Sequence, residues 1–134
     1  MNRTLATGLL GASLLGCAST APQLETERTY RVEWIGERPL IDRSHLTLTL
    51  GADGRAYGNA GCNHWFASYS LDGDALSFGA AGSTRKLCAP ALMEQEARFL
   101  DSLGQVVRWD VSPVEQLRLW PAVGKPLRLW PEEG

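Results

Sequence analysis

The chain has 134 residues, of which 44% are hydrophobic, and its 13 basic and 15 acidic residues give a formal net charge of −2. This length suits one globular domain and leaves no room for a second core. Because the charges form no long run of one sign, the composition excludes a nucleic-acid-binding stripe and a polybasic membrane patch.

The first segment, residues 1–16, predicts an export signal. Arg3 precedes an apolar stretch at 5–16, which is shorter than the about 20 residues needed to cross a bilayer. The stretch leads into "LLGC", which resembles the lipobox of bacterial lipoproteins, where the chain is cut before the cysteine and its thiol receives lipid. We therefore expect lipid on Cys17. An ordinary secretory signal and a buried N-terminal helix are the alternatives, and Ala18 favours the outer membrane, facing the periplasm.

Residues 17–27 are predicted to form a flexible tether, and residues 28–134 the folded domain. The tract "ASTAPQLETE" at 18–27 has too few apolar side chains to form a core. The segments "TYRVEWI" and "HLTLTL" then alternate as strands do. Their inward positions are Tyr30, Val32, Trp34, Leu46, Leu48 and Leu50. On this interpretation His45 faces outward as a solvated residue.

The middle of the chain predicts an antiparallel meander. Turn signals at "GADG" (51–54), "DGD" (72–74) and "GAAG" (79–82) separate "RAYGN", "WFASYSL" and "ALSFG". Because neighbours in a strand face opposite sides, one of Trp65 and Phe66 should enter the core and the other should face outward.

Two further cysteines, Cys62 and Cys88, are predicted to form a disulfide. If Cys17 carries lipid, these two thiols remain in a compartment where disulfides persist. Closing the loop between them would restrict the unfolded chain by about 3.5 kcal/mol. One alternative is a zinc site that adds His64 and His45, although the spacing matches no known zinc module. The other is a Cys62 nucleophile with His64 as its base.

The segment at 89–104 predicts the one helix of the domain, with Pro90 in its first turn and Gly104 at its end. Its apolar side chains recur at helical spacing, so one face should cover the sheet. This predicted stripe consists of Met93, Ala97, Leu100 and Leu103, with Leu92 and Phe99 beside it.

The pentad "LRLWP" occurs twice, at 117–121 and 127–131, and predicts a closing hairpin centred near Gly124. That register sets Arg118 across from Trp130 and Arg128 across from Trp120, on the outer face. The four leucines of the two pentads would then face inward. The arginines and indoles are either a candidate partner surface or simply the cover of a sheet edge or barrel end.

These elements predict a mainly β (α+β) fold, in which a small antiparallel meander curls into a β-barrel-like domain with one packed helix. The aromatic residues expected inside are Tyr30, Trp34, Phe66, Phe78 and Trp109.

Four stretches of this sequence resemble the META domain, the domain of HslJ-like bacterial envelope lipoproteins. They are "DGRAYGNAGCNHWFASYSLDGDALSF" (53–78), "STRKLC" (83–88), "MEQEARFLDSL" (93–103) and "GKPLRLW" (124–130). The resemblance implies a small barrel with one helix and a pairing of Cys62 with Cys88. It also implies links to heat shock, antibiotic tolerance and virulence, without catalytic residues.

The sequence departs from the family pattern at three positions. His64 stands where Arg is frequent, Ala67 where Gly is frequent, and Lys86 where Met is frequent. The charge on Lys86 argues against burial of that strand face. A surface contact is the expected role of His64.

We therefore expect a non-enzymatic, lipid-anchored envelope protein that binds another envelope component and contributes to stress tolerance, without cofactor or metal. A carrier of a small apolar ligand and an inhibitor of an exported enzyme are the alternatives. The candidate partner surface comprises His64, Arg118, Trp120, Arg128 and Trp130.

Overall fold

The computed structural model describes residues 24–133, together with Thr4, Gly8 and Gly11. The predicted signal peptide apart from these three residues, and Cys17, lie outside the described part. Ten strands and one helix, α1 (Pro90–Gln105), make up the domain. The strands are β1 (Thr29–Ile35), β2 (Arg38–Pro39), β3 (Thr47–Leu50), β4 (Arg55–Asn59), β5 (His64–Asp72), β6 (Ala75–Phe78), β7 (Gly82–Ser83), β8 (Val106–Val111), β9 (Leu117–Pro121) and β10 (Leu127–Pro131).

Eight of the ten strands close into an antiparallel barrel. The short strands β2 and β7 pair only with β1 and β5. The others follow the order β10-β9-β8-β6-β5-β4-β3-β1, and β1 pairs with β10 from Tyr30↔Pro131 to Ile35↔Leu127. Closure removes the free sheet edge that an open meander of this size would expose. The predicted barrel with one packed helix is therefore confirmed.

The barrel interior is filled by side chains from alternate strand positions. Leu46, Leu48 and Leu50 are fully buried, as are the inward leucines of β9 and β10. Trp65 is the inner aromatic of its pair and meets the rings of Phe78 and Phe99 edge to face, at centroid distances of 6.4 and 5.7 Å. Such edge contacts add to the stabilisation from apolar burial.

The outer aromatics correct part of the predicted core. A β-bulge between Val32 and Trp34 shifts the alternation in β1, so that Ile35 faces inward and Trp34 lies half-buried on the outside. Phe66 is 46% exposed because its neighbour Trp65 takes the inward position. Trp109 is partly buried and packs at the margin of the core.

Helix α1 buries a face that overlaps the predicted apolar stripe only in part. Its buried residues are Gln95, Glu96, Phe99 and Leu103, whereas Ala97 is exposed. Gln95 Oε1 accepts the Ile41 backbone N–H at 2.8 Å, and Glu96 binds Asn63. The helix is rotated because these two polar side chains find partners in the loops beneath it, which apolar periodicity alone cannot reveal.

The packed domain includes Leu24–Glu27, which precede the boundary predicted at residue 28. Leu24 is buried in the core, the Glu27 N–H donates to Leu50 O at 2.7 Å, and Glu27 Oε1 accepts the Ala52 N–H at 2.6 Å. The last four residues of the predicted tether are therefore part of the fold. Within the described part of the chain, no helix is long and apolar enough to cross a membrane.

Candidate functional site

Cys62 and Cys88 form a disulfide in the structure, with their sulfurs 2.02 Å apart. The bond ties the turn before β5 to the segment that leads into α1. Since neither sulfur is a thiolate in this state, neither can act as a nucleophile or as a zinc ligand. Among residues 24–133, no group of three or more His, Cys, Asp or Glu side chains could hold a metal ion.

Beside the disulfide lies a buried polar pair that the sequence analysis did not single out. Glu96 accepts the backbone N–H of Asn63 at 2.7 Å and its side-chain amide at 2.9 Å. The amide oxygen of Asn63 in turn accepts the Lys86 N–H at 2.7 Å and the Thr84 hydroxyl at 3.0 Å. Asn63 thereby joins α1 to both chain segments that carry the cysteines. Its role in this site is architectural.

His64 begins β5 and faces outward, as predicted. Its Nδ1 lies 2.9 Å from Gly58 O, so Nδ1 must carry the proton and Nε2 of the neutral ring is left as an acceptor. With Asn59, Thr84 and Lys86 it lines a shallow depression of about 290 Å³. His45 is also on the outside, with its Nε2 3.1 Å from a carboxylate oxygen of Glu132.

The closing hairpin has a different register from the predicted one. Arg128 pairs with Arg118, and Leu127 with Leu119, which centres the turn on Val123. The predicted pairs Arg118–Trp130 and Arg128–Trp120 are therefore wrong. Both registers bury the same leucines, because a slip of two residues keeps every side chain on its own face.

The outer sides of β1, β10, β9 and β8 together form what we call the arginine–tryptophan face. Its members are Arg31, Glu33, Trp34, Arg108, Asp110, Arg118, Trp120, Arg128 and Trp130. Along one row, strand pairing sets Trp34 beside Arg128, Arg128 beside Arg118, and Arg118 beside Asp110. Side chains from four strands thus meet on one side of the barrel.

Asp110 is the most heavily bonded carboxylate of this face. Arg118 donates from Nε to Oδ1 at 2.7 Å and from a terminal nitrogen to Oδ2 at 2.8 Å, and Trp120 Nε1 donates to Oδ1 at 2.8 Å. Partial burial raises the pKa of Asp110, but the hydrogen bonds from Arg118 and Trp120 outweigh it and hold the pKa below its usual value. The carboxylate therefore stays ionised and holds Arg118 and Trp120 in place.

Glu33 has a similar arrangement on β1, which is separated from β8 by β9 and β10. It accepts Arg31 at 3.1 Å and the Trp130 Nε1–H at 2.7 Å. The two remaining arginines lie over indole rings, Arg108 at 4.7 Å from the centroid of Trp120 and Arg128 at 5.6 Å from that of Trp34. Both geometries fit cation–π contact.

The structure divides the candidate partner surface that the sequence suggested. Arg118, Trp120, Arg128 and Trp130 all belong to the arginine–tryptophan face, whereas His64 lies on β5, across the barrel from β10. The other members of the face were missed. They come from β1 and β8, and only the strand order reveals that these strands flank the closing hairpin.

Known structures of the same fold exist. A protein from Burkholderia xenovorans, solved by NMR, is similar with a TM-score of 0.67 and 27% identity, over 81% of this chain and 84% of that chain. A second NMR structure is similar with a TM-score of 0.59 and 22% identity, over 76% of this chain and 86% of that chain. No curated protein matches the sequence.

The family comparison covers the part of the chain that contains the barrel, the helix and the cysteine pair. The META domain profile matches residues 22–134, which includes the whole of the packed domain from Leu24 onward. The chain belongs to the META domain family.

Proposed function

We propose that this protein is a lipid-anchored envelope protein whose META domain binds another envelope component and catalyses no reaction. The observation that carries the proposal is the arginine–tryptophan face, a fixed array of charged and aromatic side chains on the outside of a filled barrel. Arginine and tryptophan are enriched among the residues that contribute most to protein binding. Envelope stress tolerance is the process that the family resemblance suggests for this role.

The anchor of the proposed protein is lipid on Cys17, in the outer membrane and facing the periplasm. Only residues 18–23 separate Cys17 from Leu24, which is buried in the core. Seven extended steps of the chain reach about 25 Å at most. The domain would therefore stay close to the membrane surface, and its partner must be accessible there. The several acyl chains of a bacterial lipoprotein would make such an anchor firm.

The state of His64 and of the two cysteines supports a non-enzymatic role. The Nδ1 proton of His64 points to a backbone carbonyl, and no described carboxylate within hydrogen-bond distance of His64 orients the ring for general base work. Cys62 and Cys88 are joined to each other. A nucleophile with a neighbouring base is therefore missing from the depression beside β5.

The filled interior argues against the carrier hypothesis. Trp65, Phe99 and the inward leucines occupy the space where a barrel of this size could hold an apolar ligand. An inhibitor of an exported enzyme would be one form of the proposed binding role, with the enzyme as partner.

The proposal is tested by complementing a deletion strain under envelope stress with three forms of the protein. We expect the natural chain to take up labelled palmitate, to fractionate with the outer membrane and to restore survival. Cys17→Ala should lose the label and the membrane fraction together with survival. Arg118→Gln should keep the anchor and lose survival, because Asp110 loses its two hydrogen bonds from Arg118 and the array is no longer fixed.

Two results would contradict this proposal. If Cys17→Ala restored survival fully, anchoring would have no part in the function. If Arg118→Gln also restored survival fully while remaining anchored, the arginine–tryptophan face would not be the surface that binds the partner.

A further inference from the structure

We propose that the arginine–tryptophan face docks an acidic segment of a partner protein, whose carboxylates are held by Arg108 and Arg128. This inference rests on the proposed binding function and names the chemistry of the partner. Its basis is the balance of charge on the face, the state of the two guanidinium groups and the preorganisation of the indoles.

The arginine–tryptophan face carries more positive than negative charge. It has four arginines and two carboxylates, although the chain as a whole has a net charge of −2. Arg118 binds Asp110 through two hydrogen bonds, and Arg31 binds Glu33. Arg108 and Arg128 donate no hydrogen bond to a carboxylate of the face. Arg108 makes only a long ion pair with Asp110, at 3.8 Å, and Asp110 is already bonded to Arg118 and Trp120.

Arg128 is the less satisfied of the two. Its Nε is buried and has no hydrogen-bond partner among the residues that the structure describes. It lies directly across from Arg118, and like charges at such a cross-strand position repel each other. A carboxylate from outside would neutralise this repulsion. The planar fork of an arginine donates two parallel hydrogen bonds to a carboxylate.

The indole rings of the face are held in fixed positions before a partner binds. Trp34 and Trp120 lie against the guanidinium groups of Arg128 and Arg108. The N–H groups of Trp120 and Trp130 are bonded to Asp110 and Glu33, so these rings are already ordered before a partner arrives. Binding then costs little side-chain entropy.

The mixture of charges favours a protein partner over a lipid surface. Glu33 and Asp110 lie within the face, and they would repel the anionic headgroups of a membrane. A protein segment can place its own basic or neutral side chains over these two carboxylates and its acidic ones over the two spare arginines. Such complementary patterns set specificity and association rate in protein complexes.

The test uses the full mature chain in neutral detergent and a dye-labelled deca-glutamate peptide, with binding followed by fluorescence anisotropy. We expect binding that weakens as salt is added. The double variant Arg108→Gln/Arg128→Gln should weaken it about tenfold. The matched control Arg55→Gln/Arg85→Gln removes two exposed arginines outside the face and should stay within about twofold. Arg108→Lys/Arg128→Lys should fall between, because it keeps charge but loses the fork.

Three results would overturn the inference. One is equal weakening by the two glutamine double variants, both shown by denaturation to be folded. Another is stronger binding to phosphatidylethanolamine–phosphatidylglycerol vesicles, or to soluble cell-wall muropeptides, than to deca-glutamate. The third is no peptide binding at all. If Cys17→Ala and Arg118→Gln still behaved as expected in cells, that third result would leave the proposed function intact.

Discussion

Asn63 lies where three parts of the domain meet, and every polar group of its side chain is bonded. Its amide nitrogen donates to Glu96 and to Lys86 O, and its amide oxygen accepts two donors. Both Asn63 and Glu96 are almost fully buried. A buried carboxylate is tolerated only when it is hydrogen-bonded in this way. The pair therefore specifies how α1 sits on the barrel.

Replacing Glu96 by alanine should destabilise the fold strongly. The backbone N–H of Asn63 would lose its acceptor inside the protein, and its side-chain amide would lose one of two. We expect a loss of about 2–4 kcal/mol in the free energy of unfolding, measured by urea denaturation. Glu94→Ala is the matched control, because Glu94 is exposed on the same helix. Similar losses for both variants would show that the buried pair is not what holds α1.

Strands β3 and β4 approach each other unusually closely at Gly58. A Cβ atom built on Gly58 would overlap the backbone carbonyl of Thr47. That same carbonyl accepts the indole N–H of Trp65 at 2.9 Å. Glycine is required at this position because the two strands and the central aromatic of the core converge on one oxygen.

Gly58→Ala should therefore destabilise the barrel by at least about 2 kcal/mol, since backbone cannot move aside as a flexible side chain can. Gly104→Ala provides the comparison. A Cβ on Gly104 meets nothing within 4 Å in α1, so that change should stabilise the protein by up to about 1 kcal/mol. Thermal unfolding of the two variants would test this. A tolerated Gly58→Ala would mean that the strands can separate without loss.

The two ends of the barrel are closed by different means. Helix α1 covers the end where β3 and β5 begin, through Gln95 and Glu96. At the other end, where β3 finishes, Leu24 enters the core and the backbone of Glu27 bonds to Leu50 O.

Leu24→Ala should loosen the packing at the end of the barrel where β3 finishes and lower the free energy of unfolding by about 2 kcal/mol. This is near the bottom of the range for buried leucines, because the site lies close to the start of the fold. Leu87→Ala is the matched control, since Leu87 is 91% exposed. Urea denaturation should separate the two variants clearly. If Leu24→Ala and Leu87→Ala were equally stable, residues 24–27 would not contribute to the packed domain and would belong to the tether, as predicted from the sequence.

Much of this architecture follows from local patterns along the chain. The alternation of leucines in β3, β9 and β10 predicted their inward faces. The turn signals predicted the meander, and Pro90 and Gly104 bounded α1 to within a residue. Local sequence succeeds here because burial on one face of a strand or helix imposes a period that neighbouring residues display directly.

Strand register and the arginine–tryptophan face depended on contacts between distant segments. A two-residue slip in the closing hairpin leaves every leucine inward, so the pattern could not distinguish the pairing of Arg118 with Arg128 from the predicted one. The bulge that turns Trp34 outward leaves no mark in the alternation. The burial of Glu96 depends on Asn63, far away in sequence. Only the closed barrel brings these groups together, because side-chain periodicity reports which face is buried and carries no information about the neighbour on that face.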